Sequence, residues 1–303
     1  MASQTVSIGK PSRSIDIGKI LVWILLGIIL LVTLFPFWWV LRTAWTSSNM
    51  VFTNAESLLP VEFTWNNFLR VLGLLSSEEA VAAGGSGQAI NFFKFLRNSF
   101  IFSLTIAFAQ TFFSALAAYA FARLKFPFRD KLFMLYIAAL MVPPIVTLIP
   151  NFVLIRRFDL LDTFAGMVAP YFFMTPFAVF FLRQFFLGIN RELEEAAKID
   201  GAGLITIFGR IILPMSQPPL LTLGIITFIT AWNEYLWPLI VGKDEGVRVL
   251  TVALGIFRSQ TPQGAPDWSG LMAGTTLAII PTFIIFMLLG RRVLDNIQFT
   301  GFK

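Results

Sequence analysis

Six apolar runs, each long enough to cross a hydrocarbon core about 30 Å thick as a helix of about 20 residues, divide this chain of 303 residues. They are Ile20–Leu41, Phe95–Ala122, Leu132–Ile155, Phe164–Phe186, Pro219–Val241 and Leu271–Gly290. Only 13% of residues are charged and the mean hydropathy is +0.77, whereas a soluble domain carries about 25% charge. The reading is an all-α membrane protein with six transmembrane helices. The first run follows Lys10, Arg13 and Lys19, as in a signal peptide. It ends in Phe35-Pro36-Phe37-Trp38-Trp39 with no small-residue cleavage site, so it reads as an anchor that stays.

The chain has no Cys and no His. That removes disulfides, thiolate nucleophiles and Cys-based metal centres, together with the commonest general base. The net charge of +6 reads as a cytoplasmic excess of basic residues and not as a nucleic-acid surface. Alternate connections carry 14 Lys and Arg on one side and 9 on the other. The strongly basic Arg123–Lys131 connection lies on the richer side, with both termini, so both termini are expected in the cytoplasm. The spans occupy 20–290, between a tail of 1–19 and a tail of 291–303.

Within the second run, Ser103, Ala107, Thr111 and Ala115 recur every four residues, as do Ser114, Ala118 and Ala122. Such small-residue stripes let helices approach closely in lipid. Pro143, Pro144, Pro150 and Pro176 are expected to interrupt the hydrogen-bond ladders of the third and fourth runs. Ser76–Gln88, with Gly84-Gly85-Ser86-Gly87, reads as a flexible outward loop.

The connection Phe186–Pro218 is patterned. Asn190 can cap a helix whose early turns hold Glu192, Glu194 and Glu195. Asp200-Gly201-Ala202-Gly203 stops it. Leu204, Ile207, Phe208, Ile211 and Ile212 then recur at helical spacing until Pro214. One reading is an interfacial helix lying on lipid headgroups. The acidic face of the first helix would be repelled by anionic lipid and suits a groove on a protein partner.

Glu195-Ala196-Ala197, then Gly201, then Ile211-x-Leu213-Pro214 resembles the EAA loop of ABC-transporter permease subunits, with Ile199-Asp200-Gly201-Ala202 as its common filling. Leu34-Phe35-Pro36-Phe37-Trp38, Arg97-Asn98-Ser99, Leu182-Arg183-Gln184-Phe185-Phe186, Trp232-Asn233-Glu234 and Leu271-Met272-Ala273-Gly274 resemble the carbohydrate-uptake branch, and within it the smaller, six-helix permease of maltose-type importers. The resemblance implies the type I importer permease fold, with a cytoplasmic coupling loop at about 190–214. Glu195, Ala196, Ala197, Gly201, Ile211, Leu213 and Pro214 would form the docking site for an ATPase dimer. It also implies a second permease, with a hetero-oligomer expected, and an extracytoplasmic sugar-binding protein in a bacterial inner membrane. The chain carries no G-x-x-x-x-G-K-[ST], since Gly9-Lys10, Gly18-Lys19 and Gly242-Lys243 all lack the following hydroxyl residue. ATP and Mg would therefore reside on the partner, and no cofactor or metal is expected on this chain. The tail Arg291–Lys303 touches the ATPase in relatives of this type.

For a substrate path the candidates are Glu234, an acid placed well inside a run, and its neighbours Trp232, Asn233 and Tyr235. Glu234 and Asn233 suit a sugar hydroxyl, or a structural bond between helices. Trp232, Tyr235 and Trp237 suit sugar stacking, or an aromatic belt at the membrane interface. The Gln260-Thr261-Pro262-Gln263-Gly264 stretch of the outer loop is expected to reach the binding protein. The alternatives at this point are an ion-coupled secondary carrier centred on Glu234 and a membrane-embedded enzyme using the acids from Glu192 to Asp200.

Overall fold

The computed structural model describes residues 17–53, 55–87, 90–258 and 264–299, with side chains from 18 to 290 within those ranges. Helix α1 (Ile17–Ala44) is apolar on every side and therefore lacks a distinct packing face. From Ile20 to Trp38 all its residues but Gly27 are exposed, and it lies against the last helix. Short helices α2 (Asn66–Val71) and α3 (Ser77–Ala82) follow at one end of the bundle. Helix α4 (Phe92–Arg123), 32 residues long, is the central element.

The next runs are broken. Helices α5 (Arg129–Ala138) and α6 (Pro144–Arg157) meet, through a 3-10 turn, at 97°. Helices α7 (Phe164–Val168) and α8 (Pro176–Leu187) form a second bent pair at 52°. After α9 (Glu192–Ile199), helices α10 (Leu204–Ile207) and α11 (Leu213–Met215) are joined by a π-helical stretch, Phe208–Ile212, and turn by 79° into α12 (Gln217–Trp232). Helices α13 (Leu236–Val241), α14 (Leu250–Ala253) and α15 (Trp268–Phe299) complete the order. Among the described residues three helices are long and apolar enough to span a membrane, and up to six when each bent pair is one span.

Proline accounts for these breaks. Pro144 and Pro176 sit at the first turns of α6 and α8, where a missing N–H costs nothing. Thr175 caps α8 by accepting from the Ala178 amide at 3.4 Å. Pro150, expected to interrupt the ladder, is carried inside α6 without ending it. The fifth run departs most from expectation. It is not one helix to Val241, because α12 stops at Trp232. Pro238 has no N–H to offer the carbonyl four residues back, which belongs to Glu234. That carbonyl instead accepts from the Thr251 hydroxyl at 2.8 Å. Glu234 thus lies in a break between α12 and α13.

The small residues of α4 are buried as their spacing predicts, except Thr111, which is half-buried. Ala115, Ala118 and Ala122 pack with Val179, Leu182 and Phe186 of α8 and with Ile207, Phe208 and Ile212 in one cluster. In lipid such close fit, and not expulsion from water, drives association. A second cluster at the other end joins Phe68 and Val71 to Phe92, Phe95, Leu250 and Phe257.

The stretch from Ser76 is more ordered than a flexible loop. Ser76 and Glu79 form a capping box on α3, the Ser76 hydroxyl accepting from the Glu79 amide and the Glu79 carboxylate from the Ser76 amide at 2.9 Å. Gly85 then passes so close to Arg70 that a Cβ there would collide with the guanidinium. Gln88, at the end of that stretch, lies outside the described residues, as do Lys10 and Arg13 of the N-terminal tail, residues 260–263 of the outer loop, and the side chains of Arg291–Lys303. Helix α15 itself runs on to Phe299.

Candidate functional site

The EAA-like segment folds as a helix, a glycine bend and a second helix. Arg191, and not Asn190, is the N-cap of α9, and Asn190 Oδ1 accepts from the Glu192 amide at 3.1 Å one residue before it. Glu195, Ala196 and Gly201 are exposed, and Ala197 is half-buried. Gly201 has φ +83° with no heavy atom within 4 Å of a Cβ built on it, so the left-handed backbone and not crowding demands glycine. Beyond the bend, Ile207 and Phe208 turn inward, while Ile199 and Ile205 are 87% and 88% exposed. Ile211 and Leu213 are half-buried and Pro214 is exposed. The surface of this segment therefore combines carboxylates with large unpartnered aliphatic side chains. Exposed apolar groups beside polar ones mark an interaction face.

One acid of α9 behaves differently. Glu194 points inward and pairs with Arg123 at the last turn of α4, Oε1 to Nε 2.9 Å, with side chains 7% and 3% exposed. Arg123 Nη2 also donates to the Phe186 and Ile189 carbonyls, the latter at 2.6 Å, and so satisfies the open end of α8. A single guanidinium joins three elements.

A cavity of about 200 Å³ lies deeper in the bundle. Gln110 of α4, Tyr171 and Thr175 at the α7–α8 break, Thr227 and Thr230 of α12, and Glu234 supply its polar groups. Gln110 Nε2 donates to the Tyr171 carbonyl at 3.3 Å. Glu234 Oε1 accepts from the Trp237 amide at 3.3 Å, a cap on α13.

Of the four candidates for a substrate path, Glu234 alone reaches this cavity. Asn233 is exposed, and its Nδ2 donates back to the Ile229 carbonyl at 2.8 Å. Tyr235 is half-buried outside the lining. Trp232 is 4% exposed, tilts against Phe100 at 4.9 Å and stacks on Phe228 at 5.6 Å, and donates to the Ala278 carbonyl of α15 at 3.1 Å. Trp237 is also buried and donates to the Met167 carbonyl at 2.9 Å. These two indoles bridge helices, which corrects the belt reading: a buried indole N–H must find an acceptor, and here it is the carbonyl of another helix.

Residues 110–298 match the family described as "Binding-protein-dependent transport system inner membrane component". The chain belongs to that family. Among similar proteins, the probable ABC transporter permease protein YurM of Bacillus subtilis is 33% identical over 281 residues, covering 92% of this permease and 87% of its relative. The sn-glycerol-3-phosphate transport system permease protein UgpE of Yersinia pestis is 33% identical over 271 residues, covering 89% and 92%. In structure, the permease resembles a chain of a bacterial ABC transporter involved in the import of the acidic polysaccharide alginate. The TM-score is 0.74 at 22% identity, with 93% of this permease and 99% of that chain covered. The fold is that of an ABC importer permease, a subunit that is not itself an enzyme, and the ion-coupled carrier and membrane-enzyme alternatives fall away.

Several residues at these sites were not singled out from sequence. Arg123 counted only as a basic residue of a connection, and Glu194 as one of three acids in a first turn. Nothing in sequence separates Glu194 from Glu195, although adjacent helical positions point about 100° apart and one of them must face inward once the apolar stripe is seated. Thr227 and Thr230, three apart on α12, and Gln110 on α4 are the polar residues whose spacing could have drawn attention to the cavity.

Proposed function

We propose that this permease is the smaller transmembrane subunit of a sugar or polyol importer of the bacterial inner membrane, with both termini cytoplasmic. It pairs with a second, different permease and takes its substrate from an extracytoplasmic binding protein. The segment 190–214 docks on a dimeric ATPase, which holds the ATP and Mg, and this chain binds no cofactor. Glu195 offers the ATPase a charged contact, Ala196 and Ala197 a close fit, and Gly201 the bend, with Ile211, Leu213 and Pro214 seating the second helix. Glu234 faces the substrate path.

The observation that carries the docking role is the exposure of Glu195, Ile199 and Ile205 on a segment anchored to the core by Ile207, Phe208 and Ile212. Lipid headgroups would not favour carboxylates there. The cavity supports a shared substrate path. Its volume of about 200 Å³ is below the roughly 300–1,000 Å³ of a small-molecule pocket, so a second wall from the other permease would complete it. Its hydroxyl and amide groups suit a polyhydroxylated solute, and relatives named for glycerol phosphate and alginate transport agree with that chemistry.

The test is purification of the tagged permease from native membranes in mild detergent, with ATPase assay and uptake over a panel of sugars and polyols. Co-purification of a second permease and an ATPase, with the ATPase lost in Gly201→Asp, is the expected result. A permease that retains its ATPase in that variant would move docking elsewhere.

A further inference from the structure

We infer that the Arg123–Glu194 ion pair is a latch that fixes the ATPase-docking helix to the wall of the cavity, and that Glu194 is a positioning residue for coupling and not for docking. This inference rests on the reading of 190–214 as the docking segment. Glu194 is turned about 100° from Glu195 on α9 and is buried against α4, so a partner seated on the exposed Glu195 leaves Glu194 covered by this chain alone. Arg123 is the last residue of α4. Thirteen residues earlier on the same unbroken helix stands Gln110, and beyond it Ile106 and Phe102, all lining the cavity. At a rise of about 1.5 Å per residue, Arg123 and Gln110 are roughly 20 Å apart along one rigid rod.

The chain offers another route from α9 to the cavity, through the Gly201 bend, the π-helical stretch and the 79° turn into α12. That route contains three departures from straight α-helix, any of which can absorb a displacement. The ion pair bypasses them. It also holds the end of α8, because the same guanidinium bonds the Phe186 and Ile189 carbonyls. A push on α9 therefore reaches α4 and α8 together through one guanidinium, whereas α12, the facing wall packed along α4, is reached along its own chain only through the three bends. Relative movement of two walls is what opens or closes a cavity between them.

The experiment uses the complete purified transporter in proteoliposomes, with its binding protein, and compares wild type, Glu194→Gln and the apolar double variant Arg123→Met/Glu194→Met. The double variant removes the pair without stranding a buried charge and keeps the volume filled. Both should retain the ATPase and stay assembled, with a lower melting temperature, because Glu194→Gln leaves Arg123 buried and unpaired and the double variant frees the Phe186 and Ile189 carbonyls. Both should lose stimulation of ATP hydrolysis by loaded binding protein, and uptake, by about tenfold or more. A simple packing role would leave that stimulation ratio unchanged in any complex that stays assembled. Normal stimulation and uptake in the double variant would overturn the latch. Loss of the ATPase from Glu194→Gln would overturn it as well, since Glu194 would then serve docking. Retention of the ATPase by Gly201→Asp, run alongside, would instead count against the docking reading itself.

Discussion

Arg70 and Asp267, 197 positions apart in the chain, form a buried two-pronged ion pair at the end of the bundle opposite the EAA-like segment, with side chains 2% and 0% exposed. Asp267 also accepts from the Ser86 amide and hydroxyl, each at 3.0 Å, and from the Gly270 amide at 2.9 Å. Arg70 donates further to Ser48 and Asn67. The network thus ties the segment after α1, helix α2, the glycine-rich turn and the start of α15 into one block. Removing one partner leaves the other charge buried and unpaired, at a cost of about 3–5 kcal/mol. Asp267→Ala should lower the melting temperature in detergent sharply, and Gly85→Ala should do the same through its collision with Arg70.

The same carboxylate makes the block sensitive to acid. Burial by itself raises the Asp267 pKa, but the Arg70 guanidinium and the Ser86 and Gly270 amides outweigh it, and the carboxyl sits below its ordinary value. A group with a depressed folded pKa contributes stability that is complete above its unfolded pKa of about 3.9 and disappears as pH falls through the folded value. Wild type and Asp267→Asn should therefore differ in melting temperature at neutral pH and converge as the pH drops below about 4.

Gly201→Ala separates backbone strain from contact. An alanine held at φ +83° costs about 1–2 kcal/mol, and the open space around the Cβ means that nothing else opposes it. Either the bend persists with that loss of stability or α9 swings away. Uptake that falls more than the melting temperature would identify the second outcome, read from both measurements on one preparation.

Glu195→Lys tests the exposed face alone. The side chain is on the surface, so stability should change by less than about 0.5 kcal/mol. Uptake and recovery of the ATPase should both be lost. A variant that transports normally would remove Glu195 from the docking surface.

Much of this architecture is legible in sequence because lipid reduces the choices: a long apolar run must be helical to satisfy its own backbone. The six runs, the small-residue stripes of α4 and the Gly201 bend are all read that way. The errors have a common origin. The stretch from Ser76 has a loop composition, yet Gly84 and Gly85 are there to let the backbone pass Asn49 and Arg70, an approach that only the distant Asp267 explains. Trp232 and Trp237 have the composition of a belt, and their burial depends on which carbonyls Met167 and Ala278 present from other helices. The break at Glu234 was the exception, since Pro238 announces it four residues away. Pairings between residues far apart in the chain, such as Arg123 with Glu194, leave no local trace.

Glu234 carries two roles that conservative substitution can divide. Its carboxylate caps α13 through the Trp237 amide and also faces the cavity. Gln in its place keeps an oxygen to accept from that amide and removes the charge. Glu234→Gln should therefore melt within about 0.5 kcal/mol of wild type. A hydrogen bond from a solute hydroxyl to a charged group is worth about 1.5–3 kcal/mol, so the KM for uptake should rise roughly tenfold or more. Glu234→Ala loses the cap as well, a further cost of about 0.5–2 kcal/mol in stability. If Glu234→Gln transports with an unchanged KM and only Glu234→Ala is impaired, the residue serves the helix break alone and the solute is held by Gln110 and the threonines of α12.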